Sequence, residues 1–182
     1  MLTIASLLDV VLPGSCPGCD GPRGTVSEGS LCPGCAARVP GLAVAFPAPA
    51  PIRGAWALGP YQGPLGAIVR RGKYRPDPDA IAELGRRMAL AAHRRLPTVD
   101  AVAHVPVPWR RRLVRGFDQG DLLARPVAAM LGVPHLALLR RVRHEEQAGR
   151  RLARRRADAR AAFRAQPNTA PLRVLLVDDV VT

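Results

Sequence analysis

The sequence predicts an α/β fold in which a domain with a parallel sheet follows a small module with four cysteines. Two stretches predict the sheet, DAVAHVPVP (Asp100 to Pro108) and RVLLVDDVVT (Arg173 to Thr182). Each contains an apolar run short enough to form one strand that is buried on both faces. Two C-x-x-C pairs near the start of the chain predict the module. The chain has 182 residues and is 48% apolar, which is enough for one such domain and an appendage.

The four cysteines form two CPGC knuckles, Cys16/Cys19 and Cys32/Cys35, which are separated by twelve residues. Two such knuckles place four thiolates at the corners of a tetrahedron that Zn²⁺ accepts. The proline and glycine inside each pair supply the tight turn that a knuckle needs. We therefore predict a structural zinc site without an open position for a substrate. Two disulfides and a thioredoxin-like redox pair are the alternatives.

The segments that flank the knuckles predict the organisation of the chain. The segment LTIASLLDVVLP (Leu2 to Pro13) predicts a short helix that packs on the module. It lacks a basic start and is too short for a bilayer, so we expect no membrane insertion and a cytoplasmic location. Residues 40–51 have no charge and much proline, which predicts a semi-rigid linker. The predicted divisions are therefore 1–39, 40–51 and 52–182.

The first half of the larger domain shows one strand and two helices. The segment IRGAWALGPY (Ile52 to Tyr61) predicts a strand, and apolar residues recur at helical spacing in the segment that follows. A second helix is predicted to begin at Asp79 as its cap and to end near Arg95. Its carboxyl end is basic, as the helix dipole prefers.

Basic residues follow the predicted strand that ends at Pro108. They are Arg110, Arg111, Arg112 and Arg115. Arginines at the carboxyl edge of a sheet offer bidentate donors, so they predict an anion site. A helix is predicted from about Gln119 to Gly132, and Pro126 should kink it or mark its true start.

Two carboxylates, Asp178 and Asp179, end the last apolar run. Ionised side chains are costly to bury, so such a strand delivers them to the crevice at the carboxyl edge of a parallel sheet, where ligands bind. Carboxylates accept hydrogen bonds and therefore suit the two donors of a vicinal diol. The alternative is a core strand with a solvated acidic end.

The charge is distributed unevenly along the chain, whose net charge is +13. Residues 1–60 carry a net charge of zero, residues 61–99 carry +5 and residues 100–182 carry +8. The positive charge therefore belongs to the larger domain, where it suits an anionic ligand such as a sugar phosphate or a nucleic acid. An aromatic content of 4% disfavours a platform for base stacking.

Several motifs, in order along nearly the whole chain, resemble the ComF family. They are the two CPGC knuckles, KYR (Lys73 to Arg75), VPVP (Val105 to Pro108), RGFDQ (Arg115 to Gln119), QAG (Gln147 to Gly149) with RRRADARAAF (Arg154 to Phe163) after it, and VLLVDDVVT. The resemblance implies a type I phosphoribosyltransferase-like (Rossmann-like) domain after a zinc-ribbon-like module. It also implies a link to DNA uptake during competence.

The resemblance further implies roles for individual residues around phosphoribosyl pyrophosphate (PRPP) and its Mg²⁺. Asp178 and Asp179 would bind the ribose hydroxyls, and Thr182 would open the turn that holds the 5′-phosphate. The pyrophosphate side would be formed by Pro108, Trp109, Arg110, Arg111, Arg112 and Arg115, and a mobile loop would carry Gln147, Arg150 and Arg151.

Two departures from the family pattern affect these expectations. Asp118 stands where asparagine is usual, which replaces an amide by a charge. The sequence ends at Thr182, before the rest of the phosphate turn. We therefore expect a phosphoribosyltransferase-like domain that is incomplete at its carboxyl end and that has little affinity for PRPP.

Three functional hypotheses follow. In the first, the protein binds PRPP and transfers phosphoribosyl groups to an acceptor that the sequence does not identify. In the second, it is a non-catalytic accessory that binds single-stranded DNA or proteins of the competence machinery. In the third, the cysteine module reads nucleic acid, which its zero net charge disfavours.

Overall fold

The computed structural model describes residues 14–23, 30–39, 41, 43–48, 50–75, 77–142, 162–166 and 172–181. The helices of these residues are α1 (Pro33–Arg38), α2 (Gly63–Tyr74), α3 (Pro78–Arg95), α4 (Trp109–Arg115) and α5 (Gln119–Leu131). The strands are β1 (Val44–Phe46), β2 (Ala55–Ala57), β3 (Ala101–His104), β4 (Leu139–Arg141), β5 (Phe163–Ala165) and β6 (Val174–Val177). The predicted segment Leu2 to Pro13 lies outside the described residues.

A parallel sheet forms around β3. This strand pairs with β6 in parallel, from Ala101 opposite Val174 to His104 opposite Val177. On its other side, the N–H of Val102 donates to the carbonyl of Pro134 at 3.0 Å, and His135 forms a parallel bridge with Val102. Because β3 has neighbours on both sides, its first three residues are buried, as expected of a central strand. The predicted α/β fold with a parallel sheet is confirmed.

An ion pair fixes the amino ends of β3 and β6. The carboxylate of Asp100 accepts from the backbone N–H of Arg173 at 2.7 Å and from its guanidinium at 2.8 Å. The arginine lowers the pKa of Asp100 to about 2 by these hydrogen bonds. A slip of one residue would turn every side chain of β6 to the other face. The pair therefore helps to set the register that aligns the carboxyl ends of both strands.

Helices α3 and α5 form the largest helical contact of the core. Leu123, Ala124 and Val127 of α5 are buried there. The helix begins at Gln119 and is capped by Gly132 in the left-handed region, so the predicted bounds are confirmed and Pro126 does not mark its start. Proline lacks the N–H that would bond the carbonyl of Leu122.

The start of α3 corrects one sequence prediction. Its cap is Asp77, whose carboxylate accepts from the N–H of Ala80 at 3.0 Å, and Asp79 lies in the first turn instead. The physical reason is Pro78, because proline has the φ of a helix and needs no partner for an N–H at the first helical position.

Two short antiparallel ribbons complete the described structure. The segment predicted as a linker contains β1, which pairs with β2 from Val44 opposite Ala57 to Phe46 opposite Ala55. Strands β4 and β5 pair from Leu139 opposite Ala165. Among the helices of the described residues, none combines the length and the apolar character needed to cross a membrane.

Two arginines of the larger domain form hydrogen bonds with residues of the cysteine module. Arg71 donates to Asp20 and Asp77 at 2.6 Å each and to the hydroxyl of Ser15 at 2.8 Å. Arg87 donates to the carbonyls of two module residues, Ala36 at 3.1 Å and Val39 at 3.0 Å. The module therefore packs on α2 and α3 through charge-assisted hydrogen bonds.

We expect Gly85→Ala to destabilise the fold. A Cβ at Gly85 would lie 2.9 Å from the carbonyl oxygen of Leu122 and 3.2 Å from Pro126, so α3 and α5 would have to separate. Such overpacking costs about 1–3 kcal/mol of the free energy of unfolding, which urea denaturation measures. The matched control is Gly41→Ala, because a Cβ there meets no atom within 4 Å. Equal stability of the two variants would contradict this close packing.

Candidate functional site

The carboxyl ends of β3 and β6 lie side by side at one edge of the sheet. Where the two strands end, the N–H of Val105 donates to the carbonyl of Val177 at 3.2 Å. Asp178 and Asp179 follow β6 at this edge, and the segment that leads to Pro108, the cap of α4, follows β3. The structure thus places the acidic pair and the arginine-rich segment at the same edge.

A network of charged and polar side chains surrounds Asp179. The amide of Gln119 donates to the carboxylate at 2.7 Å, and the ammonium of Lys73 lies 3.0 Å from it. Arg115 in turn donates to the amide oxygen of Gln119 at 2.9 Å. The side chain of Asp179 is only 15% exposed, so these partners compensate for the loss of water around its charge.

Asp178 is the more accessible carboxylate of the pair. It is exposed, and its side chain accepts from the N–H of Asp179 at 2.9 Å. Partial desolvation raises the pKa of Asp178, and the charge of Asp179 adds to the rise, whereas the backbone N–H and Lys73 oppose it. Because the residue is exposed, this desolvation is incomplete. Asp178 can therefore accept hydrogen bonds from a ligand without first losing Lys73 or Gln119.

The predicted arginines divide into two groups. Arg115 is half-buried and reaches the acidic pair through Gln119. The others, Arg110, Arg111 and Arg112, are exposed on α4 together with Trp109. The guanidinium of Arg110 lies 5.5 Å from the centre of the Trp109 ring, within the range of a cation–π contact. The remaining predicted site residues, Thr182, Gln147, Arg150 and Arg151, lie outside the described residues.

Sequence reasoning missed Lys73 as a site residue and named Gln119 only as part of a motif. Lys73 lies in the last turn of α2, about a hundred residues before Asp179 in the sequence, and no spacing rule links the two. The available signal was that Lys73 is the only lysine of the chain. For Gln119 the available signal was its place in the RGFDQ motif. In the structure this glutamine is 2% exposed and therefore needs polar partners.

The sulfur atoms of the four cysteines converge. One ligand atom from each of Cys16, Cys19, Cys32 and Cys35 lies within 4.8 Å of the others, and all four thiols are free. The sulfurs of Cys19 and Cys32 are 3.7 Å apart. Tetrahedral Zn–S bonds place neighbouring sulfurs about 3.8 Å apart, so the arrangement fits a metal ion and excludes a disulfide between these two residues.

The surroundings of the sulfurs favour thiolates at one position and oppose them at another. Burial raises the pKa of Cys16, but hydrogen bonds from the backbone N–H groups of Cys32 and Gly18 outweigh it and lower that pKa to about 7. Burial and the neighbouring thiols raise the pKa of Cys35 to about 12. Four adjacent thiolates therefore require a cation. A Cβ at Gly18 would lie 2.9 Å from the sulfur of Cys35, so this position has no room for a side chain.

Comparison with known proteins finds relatives along most of the chain. The DNA utilization protein YhgH of Salmonella typhi is 32% identical over 171 residues, which cover 84% of this chain and 72% of that protein. Competence protein F of Haemophilus influenzae is 32% identical over 135 residues, which cover 69% of this chain and 59% of that protein. The chain belongs to the ComF family. No protein-family model and no solved structure matches it.

Asp118 stands where the resemblance of the RGFDQ motif leads us to expect asparagine. In this chain its carboxylate caps α5, because it accepts from the N–H of Gly120 at 3.0 Å and from the N–H of Asp121 at 3.3 Å. Aspartate and asparagine are equally good helix caps. The substitution therefore keeps the start of α5, and with it the position of Gln119.

We expect Gln119→Leu to destabilise the protein by about 1–3 kcal/mol, because it removes the buried amide that donates to Asp179 and accepts from Arg115. Urea denaturation measures this change in the free energy of unfolding. The matched control is Gln62→Leu, which changes an exposed glutamine whose side chain does not cap α2. A loss no larger than that of the control would show that the network around Asp179 contributes nothing to stability.

Proposed function

We propose that this member of the ComF family binds PRPP with Mg²⁺ at the carboxyl edge of its parallel sheet and takes part in DNA uptake. The observation that carries the proposal is the network in which Asp179, Gln119 and Arg115 are joined next to the accessible Asp178. This arrangement combines carboxylates, which accept hydrogen bonds from a diol, with the cation of Arg115, which suits a diphosphate. The names of the relatives, which refer to DNA utilization and competence, support the association with DNA uptake.

In this proposal each carboxylate has a different role. Asp178 is exposed and accepts hydrogen bonds from the ribose hydroxyls. Lys73 and Gln119 bind the carboxylate of Asp179 and fix its orientation. This keeps the backbone of the acidic pair in position. Preorganised groups of this kind stabilise charge without rearrangement, because the cost of orienting them is met during folding.

The cations at this edge would act on the diphosphate. In a transfer reaction, the bond between the anomeric carbon and the diphosphate oxygen breaks, pyrophosphate leaves with the electron pair, and the acceptor forms the new bond to that carbon. Arg115 and the other arginines of α4 would offset the negative charge that develops on the leaving group. Mg²⁺ bound to the diphosphate would supply further neutralisation.

A second candidate function rests on α4. This helix has no buried residue, and Leu113 and Val114 are 72% and 82% exposed beside Arg110, Arg111 and Arg112. Exposed apolar side chains among arginines suit the backbone and bases of single-stranded DNA, or a protein partner of the competence machinery. In this case the fold would serve binding without catalysis.

For the module, we propose that Cys16, Cys19, Cys32 and Cys35 hold a structural Zn²⁺. The donor set of four sulfurs supports it, since soft thiolates select zinc and leave no position for a substrate. The ion would hold the two knuckles together and so stabilise the surface that packs on α2 and α3.

Calorimetric titration with PRPP and Mg²⁺ tests the first proposal on a chain that is extended beyond Thr182 through the phosphate turn, because we expect little PRPP affinity from the 182 residues alone. We expect Asp178→Asn to weaken PRPP binding by roughly 10- to 150-fold, because one hydrogen bond to a charged group contributes about 1.5–3 kcal/mol. The matched control, Asp79→Asn, removes an exposed carboxylate of α3 and should leave the affinity unchanged.

Two outcomes would contradict PRPP binding at this edge. One is the absence of any PRPP-dependent heat in the extended chain with its wild-type residues. The other is an affinity that Asp178→Asn leaves unchanged. If the protein instead binds single-stranded DNA with a strong salt dependence, and Asp178→Asn leaves that binding unchanged, the function assigned to α4 is the correct one.

Elemental analysis of the purified protein tests the zinc proposal. We expect a single equivalent of zinc per chain, lost together with thermal stability on chelation or in Cys19→Ser. The matched control is Ala37→Ser, an exposed position on α1 of the same module. Full stability of a zinc-free protein would exclude a structural role for the metal.

A further inference from the structure

Lys73, the only lysine of the chain, is the counter-ion of the acidic pair. Its ammonium lies 3.0 Å from Oδ1 of Asp179, and the amide of Gln119 donates to Oδ2 of the same carboxylate at 2.7 Å. Each oxygen of Asp179 therefore already has a donor. The side chain of Lys73 is 25% exposed and that of Asp179 is 15% exposed, so little water screens the two charges.

The charge of Lys73 acts on the second carboxylate as well. Burial raises the pKa of Asp178, the charge of Asp179 raises it further, and the charge of Lys73 opposes both effects. The two carboxylates are therefore close enough to repel each other, and one ammonium attracts both. Together the three groups leave a single net negative charge at the end of β6.

Without Lys73 the acidic pair would need another cation. Like charges that are partly buried are unfavourable, and a proton or a metal ion relieves them. Mg²⁺ and Mn²⁺ suit such a place, because these ions select carboxylate oxygens and keep several water molecules. In this protein the chain itself supplies the positive charge. A divalent ion that approached Asp178 would be repelled by the ammonium.

We propose that Lys73 determines what the acidic pair binds, because it excludes free divalent cations and leaves Asp178 to accept hydrogen bonds from the hydroxyls of a vicinal diol. This inference rests on the proposed function, in which the pair binds ribose. A hydroxyl donates a hydrogen bond without bringing a charge, so the ammonium does not oppose it. Mg²⁺ then enters the site with the diphosphate and does not occupy the position of the ribose beforehand.

The fold fixes the turn of α2 that carries Lys73. A Cβ at Gly72 would overlap the side chain of Ile81, so glycine allows α2 to approach α3 closely at this point. Arg71, in the same turn, donates to Asp77, the cap of α3, at 2.6 Å. The ammonium is therefore presented from a turn that is held against α3. A metal ion does not displace it as easily as it would displace a fully exposed lysine.

Titration with Mn²⁺ in the absence of PRPP tests this assignment on the 182-residue chain. The protein is first saturated with zinc, and Mn²⁺ prefers oxygen ligands to thiolates, so the cysteines do not compete. In the wild type we expect the backbone amide NMR signals of Asp178 and Asp179 to stay as sharp as that of Asp79, an exposed acid of α3. In Lys73→Gln we expect paramagnetic broadening at the acidic pair and an affinity for Mn²⁺ that is higher by at least about 10-fold.

Three further variants serve as controls. Lys73→Arg keeps the charge and should behave as the wild type does. Arg75→Gln removes a positive charge from the same segment, but Arg75 is 74% exposed and lies 3.7 Å from Asp20, so this variant should also behave as the wild type does. Adding Asp178→Asn to Lys73→Gln should remove the Mn²⁺ binding that Lys73→Gln gained. Circular dichroism establishes that each variant is folded.

Two results would overturn the assignment. One is selective broadening of Asp178 and Asp179 by Mn²⁺ in the wild type, a measurement that does not depend on the folding of any variant. The other is a folded Lys73→Gln protein that binds Mn²⁺ no more tightly than Arg75→Gln does. Because PRPP is absent throughout, a failure of PRPP binding contradicts the proposed function and leaves the cation selectivity of the pair to be judged by these two results.

Discussion

The parallel pairing of β3 with β6 determines where the acidic pair of the candidate site leaves the sheet. Asp100 and Arg173 are 73 positions apart in the sequence, yet their ion pair aligns the amino ends of the two strands. Because the strands then run in register for their whole length, their carboxyl ends are level. The acidic pair and the segment that leads to α4 consequently leave the sheet next to each other.

Burial of Asp179 explains the architecture around that edge. A partly buried carboxylate needs partners, and these come from the end of α2 as Lys73 and from the start of α5 as Gln119. Two helices are thereby linked to the end of β6. The same pairing leaves Asp178, its neighbour in sequence, as the accessible acid. One carboxylate thus serves the structure, and the other is available to a ligand.

The cysteine module and the larger domain depend on each other through a few arginines. Arg71 alone contacts Ser15, Asp20 and Asp77, and so joins the first knuckle to the cap of α3. Because Arg71 lies two residues before Lys73, the same turn of α2 faces both the module and the acidic network.

The sequence by itself determined the elements whose signals are local. An apolar run predicts β6, paired cysteines predict a metal site, and the residues from Gln119 to Gly132 predict a helix with its cap. The family was predicted in the same way, because its motifs are contiguous stretches of residues. Tertiary structure alone decided that Lys73 pairs with Asp179, that Arg115 reaches the acids through Gln119, and that His104 meets His135. The physical reason is that periodicity and caps arise from neighbours along the chain, whereas the partner of a buried charge is set by which helix packs against which strand.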